Sequence, residues 1–423
     1  MTETMKDSGQ EWIGAIPESW DTNRICYCLN EINVKNSPVK TEQILSLVKD
    51  KGVMLYEEKG DVGNKAKEDI TGYKVAFPNT LIVNSMNILI GSVGISKYKG
   101  CVSPVYYVFR EKDNSDLRFV NYIFNTREFQ KELRKYANGI LEIRLRVSAT
   151  DIFNRKIPLP PKEEQIKIAD FLDEKCAEID ELSEDIQKQI DILNDYKKSV
   201  ITRAVTKGLD PNAEMKDSGI KWIGDIPKNW TSKKVKYYLF RDEKRNPGEM
   251  PILSVYREYG VIPKNSRDDN HNATSEDTSK YKYVRPGYLV INKMKAWQGS
   301  MGVSDYEGVV SPAYFIYRLK SKDILPEYIH HLLRSCYKDE FRRISGGIRE
   351  GQWDLPAIGF ENTPICIPSI DEQKSILNFI DSIVPQIEES VSVKAEQILR
   401  LLEYKKSIIY EYVTGKKRVK GAL

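Results

Sequence analysis

The sixteen residues MKDSGQEWIGAIPESW, beginning at Met5, recur as MKDSGIKWIGDIPKNW, beginning at Met215, with eleven letters identical. Trp12 and Trp222, Gly14 and Gly224, and Trp20 and Trp230 keep register across that distance. An internal repeat constrains the architecture more than any bulk property, because whatever one copy folds into the other must fold into as well.

The correspondence continues down the chain. ILSLVKDKGV from Ile44 meets ILSVYREYGV from Ile252, and YKVAFPNTLIVNSM from Tyr73 meets YKYVRPGYLVINKM from Tyr281. GSVGISKYKGCVSPVYYVFR from Gly91 meets GSMGVSDYEGVVSPAYFIYR from Gly299. Glu164 and Gln165 fall on Glu372 and Gln373, and YKKSVI from Tyr196 falls on YKKSII from Tyr404. From Ile44 on the offset is a steady 208, so the first copy carries two extra residues between Trp20 and Ile44. The chain is two copies of one unit, roughly 1–208 and 209–423. Solenoid repeats run about 20–50 residues, whereas this unit is the size of a domain plus an extra element. Two copies in one chain acquire a pseudo-two-fold axis, which suits a two-part target such as a DNA site with two half-sites. A duplication that serves only stability is the plainer alternative.

Each copy changes character at a proline. IPLPPKEEQ from Ile157 and ICIPSIDEQ from Ile365 both precede long runs rich in helix formers. In the run from Lys162 to Lys207, Ile179, Leu182, Ile186, Leu193, Tyr196 and Val200 fall on a three-and-four spacing broken at Gln189, and Gly208 and Pro211 give a stop. The second run carries Ile380, Ile383, Ile387, Val391, Ile398, Leu401, Ile408 and Tyr412 near the same spacing. Pro385 predicts a kink or a helix start there, and Gly415 closes the run. Helices of about 45 residues would be on the order of 65 Å long. Such apolar stripes need partners. The simplest partner is the helix of the other copy, paired antiparallel by the pseudo-two-fold; packing on the copy's own globular part is the alternative.

The stretches between read as mixed α+β. LIVNSMNILI, VYYVFR, YLVINKM and AYFIYR are strand-like, and the segments from Arg118 and Glu327 are amphipathic helices. The expected organisation is a lead-in segment 1–20, a globular domain 21–157, a central long helix 158–210 and a second lead-in 211–230. A second globular domain 231–366, a C-terminal long helix 367–415 and a basic tail 416–423 complete it.

Charge adds a weak hint. The chain is +4 overall, yet residues 162–207 hold eight basic against twelve acidic residues and 371–414 hold five against eight. Even after the four cations of the tail, the globular stretches stay net positive, the sign expected for an approach to phosphates. Six cysteines, at 26, 28, 101, 176, 336 and 366, show no C-x-x-C spacing and fit reduced, cytosolic thiols. The polar start MTETMKDSG is no signal peptide and no apolar run is long enough to span a membrane, so a cytoplasmic protein is expected.

Catalytic signatures are missing from the sequence. There is no G-x-x-x-x-G-K-[ST] loop, and GSVG and GSMG read as glycine turns. His271, His330 and His331 are the three histidines, and none recurs between the copies, as the acid/base groups of a duplicated enzyme should. Nor is there a Gly-rich cofactor loop followed by the Asn/Asp-Pro-Pro-aromatic signature of amino-methylating enzymes. A binding protein without catalytic, cofactor or metal residues is expected.

WIGAIPESW and WIGDIPKNW, PKEEQ and SIDEQ, and YKKSVI and YKKSII together make the chain resemble, over essentially its whole length, the DNA-specificity subunits of type I restriction–modification systems. The resemblance implies two pseudo-two-fold-related α+β target-recognition domains, each reading one half of a bipartite double-stranded DNA site. They would be separated by two long helices in an antiparallel coiled coil that sets the gap between half-sites. It also implies docking of two modification (methyltransferase) subunits using S-adenosylmethionine. Restriction subunits, ATP-dependent translocase/endonucleases needing ATP with Mg, would join them. Rival readings are a coiled-coil scaffold with no DNA role and a stand-alone DNA-modifying enzyme. Asn79-Thr80 stands where the second copy has Gly287-Tyr288, so the turn there is expected to differ.

DNA-contacting candidates follow from side-chain chemistry. Lys49 and Arg257 align after ILS, and Arg suits a guanine edge; Asn84 and Asn292 align, and Asn suits adenine. Lys97 and Lys99 in one copy, and Lys293, Lys295 and Gln298 in the other, lie in or beside the glycine turns. Arg144 and Arg146, and Arg349 and Gln352 with Trp353, follow Gly139 and Gly347. Residues shared by both copies better suit phosphate contact or fold; residues that differ better suit base reading.

Overall fold

The computed structural model of the protein describes residues 4–49, 51–60, 65–139, 145–257, 259–266, 277–347 and 353–419. The chain forms two compact units whose boundaries fall inside the long helices. One runs to Gln187 and resumes at Glu396; the other is Lys188–Ala395. Each therefore holds one globular domain and half of each long helix, Lys162–Lys207 and Ile370–Val413. Within the first unit Phe171 packs on Tyr412 with ring centroids 4.5 Å apart, and Asp180 pairs with Lys405 at 2.6 Å. Within the second, Gln189 meets Lys394 and Lys197 pairs with Glu388 at 3.2 Å. In both units one helix's numbers rise as the other's fall, so the halves pair antiparallel.

The seam of the first long helix keeps Ile179 and Ile186 buried and Leu193 and Val200 half-buried, and departs from the expected one at two positions. Leu172, Cys176, Ile179, Ile186 and Ile190 are buried, whereas Leu182 and Tyr196 are about half exposed. From Ile179 the seam steps four residues and then three, so Ile190 carries it past Gln189 and Leu182 falls outside. The second helix buries Ile380, Ile387 and Ile408 as the spacing predicts, and it runs through Pro385 without restarting there.

The two globular parts share one plan. A four-stranded antiparallel sheet takes the order Leu29–Glu31, Tyr106–Glu111, Leu81–Asn84, Val93–Ile95 in the first domain. Leu239–Arg241, Tyr314–Leu319, Leu289–Asn292 and Met301–Val303 repeat that order in the second. The strand Leu81–Asn84 has three successive apolar residues because both its faces are covered: Leu81 and Val83 join the main core and Ile82 a smaller one with Leu45, Leu47 and Val108. Leu289 and Ile291 against Val290 do the same in the second copy. The amphipathic segment from Arg118 is two helices, Leu117–Phe124 and Arg127–Arg134, restarted by Thr126, whose hydroxyl caps the second.

The repeated motifs hold each domain to the long helices. Met5–Asp7 pairs with Ala15–Pro17, and Met215–Asp217 with Asp225–Pro227, through turns in which Gly14 and Gly224 take φ of 71° and 68°. Trp20 and Trp230 are fully buried, and their indole N–H groups donate to Glu164 and Glu372 at 3.1 and 2.9 Å. The neighbouring glutamines bond the globular part. Gln165 Oε1 accepts from Asp116 N at 3.0 Å, and Gln373 Oε1 from Leu325 N at 2.8 Å, at the starts of corresponding helices. The helix ends use an inverted pair of letters, Lys207-Gly208 in one copy and Gly415-Lys416 in the other. Even so, Lys207 Nζ donates to the carbonyls of Ile223 and Asp225, and Lys416 Nζ to those of Ile13 and Ala15.

The turn at Asn79 matches its counterpart, contrary to expectation. Asn79 has φ of 58° and Gly287 of 82°, and each donates its N–H at 2.8 Å, to Ser96 and Ser304 respectively. Asparagine tolerates the left-handed region well enough to replace glycine.

Candidate nucleic-acid interface

One end of each four-stranded sheet gathers three separate segments. In the first domain the chain leaves Leu81–Asn84 and makes a 3-10 turn at Ile88–Ile90. The carbonyl of Ser85 accepts the N–H of Val147 at 3.1 Å, and Asn138 and Arg146 form an antiparallel bridge. Exposed Arg146 reaches the sulfur of Met86 at 3.7 Å, and Ile90 projects with 53% exposure. The second domain builds the same cradle: Leu355 N–H donates to the Lys293 carbonyl at 2.9 Å, and Gly346 bridges Asp354.

The third segment is the antiparallel pair Leu45–Val48 with Gly52–Leu55, or Leu253–Tyr256 with Gly260–Pro263. It lies so close over the sheet's last strand that a Cβ on Gly94 would stand 3.1 Å from the Cα of Gly52, and one on Gly302 3.2 Å from that of Gly260. The approach puts Arg257, at the hairpin turn, beside Gln298; Arg257 Nη2 donates to Gln298 Oε1 at 3.0 Å. His330 supports this packing from below, its Nδ1 accepting the N–H of Val303 at 3.1 Å. Burial, with Arg334 and His331 nearby, depresses its pKa to about 3, so it stays neutral as an acceptor.

The candidate residues separate accordingly. Asn84 and Asn292 are turn-holders: each amide oxygen accepts the N–H two residues on, Met86 at 3.0 Å and Met294 at 3.2 Å. Arg146, Arg257, Lys293, Lys295 and Gln298 lie on the gathered surface, with Lys293 paired to Asp354 at 2.8 Å. Lys49 is exposed at the first domain's hairpin turn. Lys97 and Lys99 are exposed too, but beyond Ile95, which pairs with Leu81 at the opposite end of the strand from Asn84. Arg144, Arg349 and Gln352 lie outside the described residues. The sequence reading passed over Trp297, which packs on Trp353 with centroids 5.7 Å apart, with Arg342 at 5.9 Å from each ring. Its place between Lys295 and Gln298 was the available signal.

The surface carries polar and aromatic side chains suited to binding. Among the described residues no group of three or more His, Cys, Asp or Glu is placed to hold a metal ion, and no helix is long and apolar enough to cross a membrane. The six cysteines are free thiols.

The family model for the type I restriction modification DNA specificity domain matches twice, over residues 29–191 and 215–397. The type I restriction enzyme MjaVIII specificity subunit of Methanocaldococcus jannaschii is 26% identical over 437 aligned positions, covering 96% of this chain and 95% of that one. A chain solved in work on complex assembly and conformational transition of the type I R-M system shares the fold at a TM-score of 0.64 and 14% identity, covering 95% and 99% of the two chains. The HsdS subunit from Thermoanaerobacter tengcongensis has a TM-score of 0.51 at 15% identity, covering 95% and 98%. With two α+β specificity domains in one polypeptide, the chain belongs to the family of type I restriction–modification DNA-specificity subunits.

Proposed function

We propose that this DNA-specificity subunit reads a bipartite duplex, one half-site per globular domain, through the surface gathered at the end of each four-stranded sheet. One observation carries the reading: the same backbone cradle is built twice and furnished differently. Lys49, Ser85, Ile90 and Arg146 stand in one copy where Arg257, Lys293, Gln298 and Asp354 stand in the other. A constant frame with exchanged side chains is what two different half-site sequences require, because contacts to the phosphates position and contacts to the base edges specify.

The chain is non-catalytic in this reading and works in the cytoplasm, where its DNA is. Methyl transfer from S-adenosylmethionine belongs to two modification subunits, and ATP with Mg to restriction subunits. Apolar side chains outside the helix seams support docking of the modification subunits. Leu182, Leu399 and Tyr404 are 50%, 63% and 56% exposed on the first unit's helix halves, as are Ile192 and Tyr196 at 67% and 51% on the second's. Reconstitution tests the assignment. With modification subunits and S-adenosylmethionine, methylation-aware sequencing should return one two-part motif, and the purified chain alone should return none. Methylation by the chain alone would contradict it.

A further inference from the structure

The bond between Arg257 and Gln298 changes what Gln298 can recognise. A guanidinium has donors only, so the amide oxygen of Gln298, not its nitrogen, must face Arg257. A free glutamine offers one donor and one acceptor, the pattern that matches adenine N6 and N7. With one lone pair of Oε1 engaged, Gln298 keeps both Nε2 hydrogens and a single acceptor lone pair, and Arg257 adds only its other N–H groups, so the pair is strongly weighted toward donors. In the major groove adenine and cytosine each present an amino donor, which this donor-weighted pair can meet only with the remaining Oε1 lone pair beside Arg257, and thymine presents one acceptor beside a methyl. Guanine alone offers two adjacent acceptors, N7 and O6.

We propose that Arg257 and Gln298 form a donor-rich reader that specifies a guanine in the half-site recognised by the second domain. The assignment rests on the DNA-reading function above and sharpens it. The reader is preorganised: the Arg257 carbonyl accepts from Arg334 Nη2 at 2.7 Å, and the Gly260–Gly302 contact holds the hairpin down. The first domain has Lys49 and Ile90 at these positions, and the isoleucine has no donor, so the device belongs to one half-site only.

The test uses the full chain with its modification subunits. Methylation-aware sequencing first gives the wild-type site. Duplexes of that site are then made with 7-deazaguanine, which lacks the N7 acceptor, at each guanine in turn. Wild type, Arg257→Ala and Gln298→Leu are compared for binding and for methylated sites. One guanine of the second domain's half-site should lose about tenfold or more in wild-type affinity on 7-deaza replacement, and that loss should vanish in Arg257→Ala. Both variants should relax methylation at that same position and leave the other half-site intact. A half-site without guanine, a 7-deaza effect that persists in Arg257→Ala, or relaxation at two different positions would overturn the assignment. The wild-type arm does not depend on how the variants fold. A wild-type complex with no two-part site would overturn the underlying DNA-reading function, and the guanine reader with it.

Discussion

Trp20 donates its indole N–H to Glu164 at 3.1 Å across 144 positions, fastening the lead-in segment to the first turn of the long helix. Glu164 is buried and also pairs with Arg418 at 2.7 Å, whereas its counterpart Glu372 takes Trp230 at 2.9 Å and Asn229 at 3.3 Å. The two halves thus share the tryptophan but differ in the second partner. Glu164→Ala should cost about 3 kcal/mol, because it strands a buried indole donor and removes the buried carboxylate that pairs with Arg418. Glu372→Ala, which among the described residues breaks no ion pair, should cost about 1–2 kcal/mol. Calorimetric unfolding of both variants checks the order; equal losses would contradict the asymmetry.

Gly302→Ala places a Cβ 3.2 Å from the Gly260 Cα and 3.3 Å from His330 Cε1. The hairpin must lift by a few tenths of an ångström and carry Arg257 with it. We expect about 1–3 kcal/mol lost in stability, the usual cost of overpacking, together with weaker binding of the second half-site in duplex titrations. The first half-site should be read as before.

His330 titrates far below its ordinary value of 6.5, at about 3, because it is buried. The unfolded chain takes up a proton near pH 6.5 that the folded chain refuses. Stability is therefore full above pH 6.5 and falls as the pH drops toward 3. At pH 5 the loss from this residue is about 2 kcal/mol. His331 is depressed in the same direction, also by burial. His330→Gln keeps an acceptor for the Val303 N–H and should flatten, without abolishing, the decline in melting temperature between pH 7 and pH 5.

The large architecture was legible in the sequence because a repeat, a proline and a long glycine-free run can be read from the letters without knowing which residues touch. Finer features depend on tertiary partners. Leu182 and Tyr196 look like seam residues as letters, and only the burial of Ile190 shows that the seam passes them by. The Trp20–Glu164 and Arg257–Gln298 bonds join residues 144 and 41 positions apart, which no spacing rule connects. Asn84 and Asn292 matched the chemistry of an adenine reader, yet their amide oxygens hold their own turns. Lys97 and Lys99 sit near Asn84 in sequence, but a strand of the sheet separates them from it.

The long helices supply a length test. Four helix-forming residues inserted after Gln187, where the first unit passes into the second, add about 6 Å. At about 3.4 Å per base pair, the unread gap should grow by about one or two pairs while both half-sites keep their letters. Sequencing the methylated sites of the insertion variant measures it. An active complex with an unchanged gap would mean that the helices do not set the spacing.

Domain exchange tests the central claim, that each globular domain reads its own half-site. Residues 21–157 are replaced by the corresponding stretch of a relative with a different known site, and the chimera is assembled with the modification subunits. Methylation-aware sequencing should then show one half-site changed to the relative's and the other unchanged, letter for letter. Simultaneous change of both half-sites, or of neither, would contradict the account.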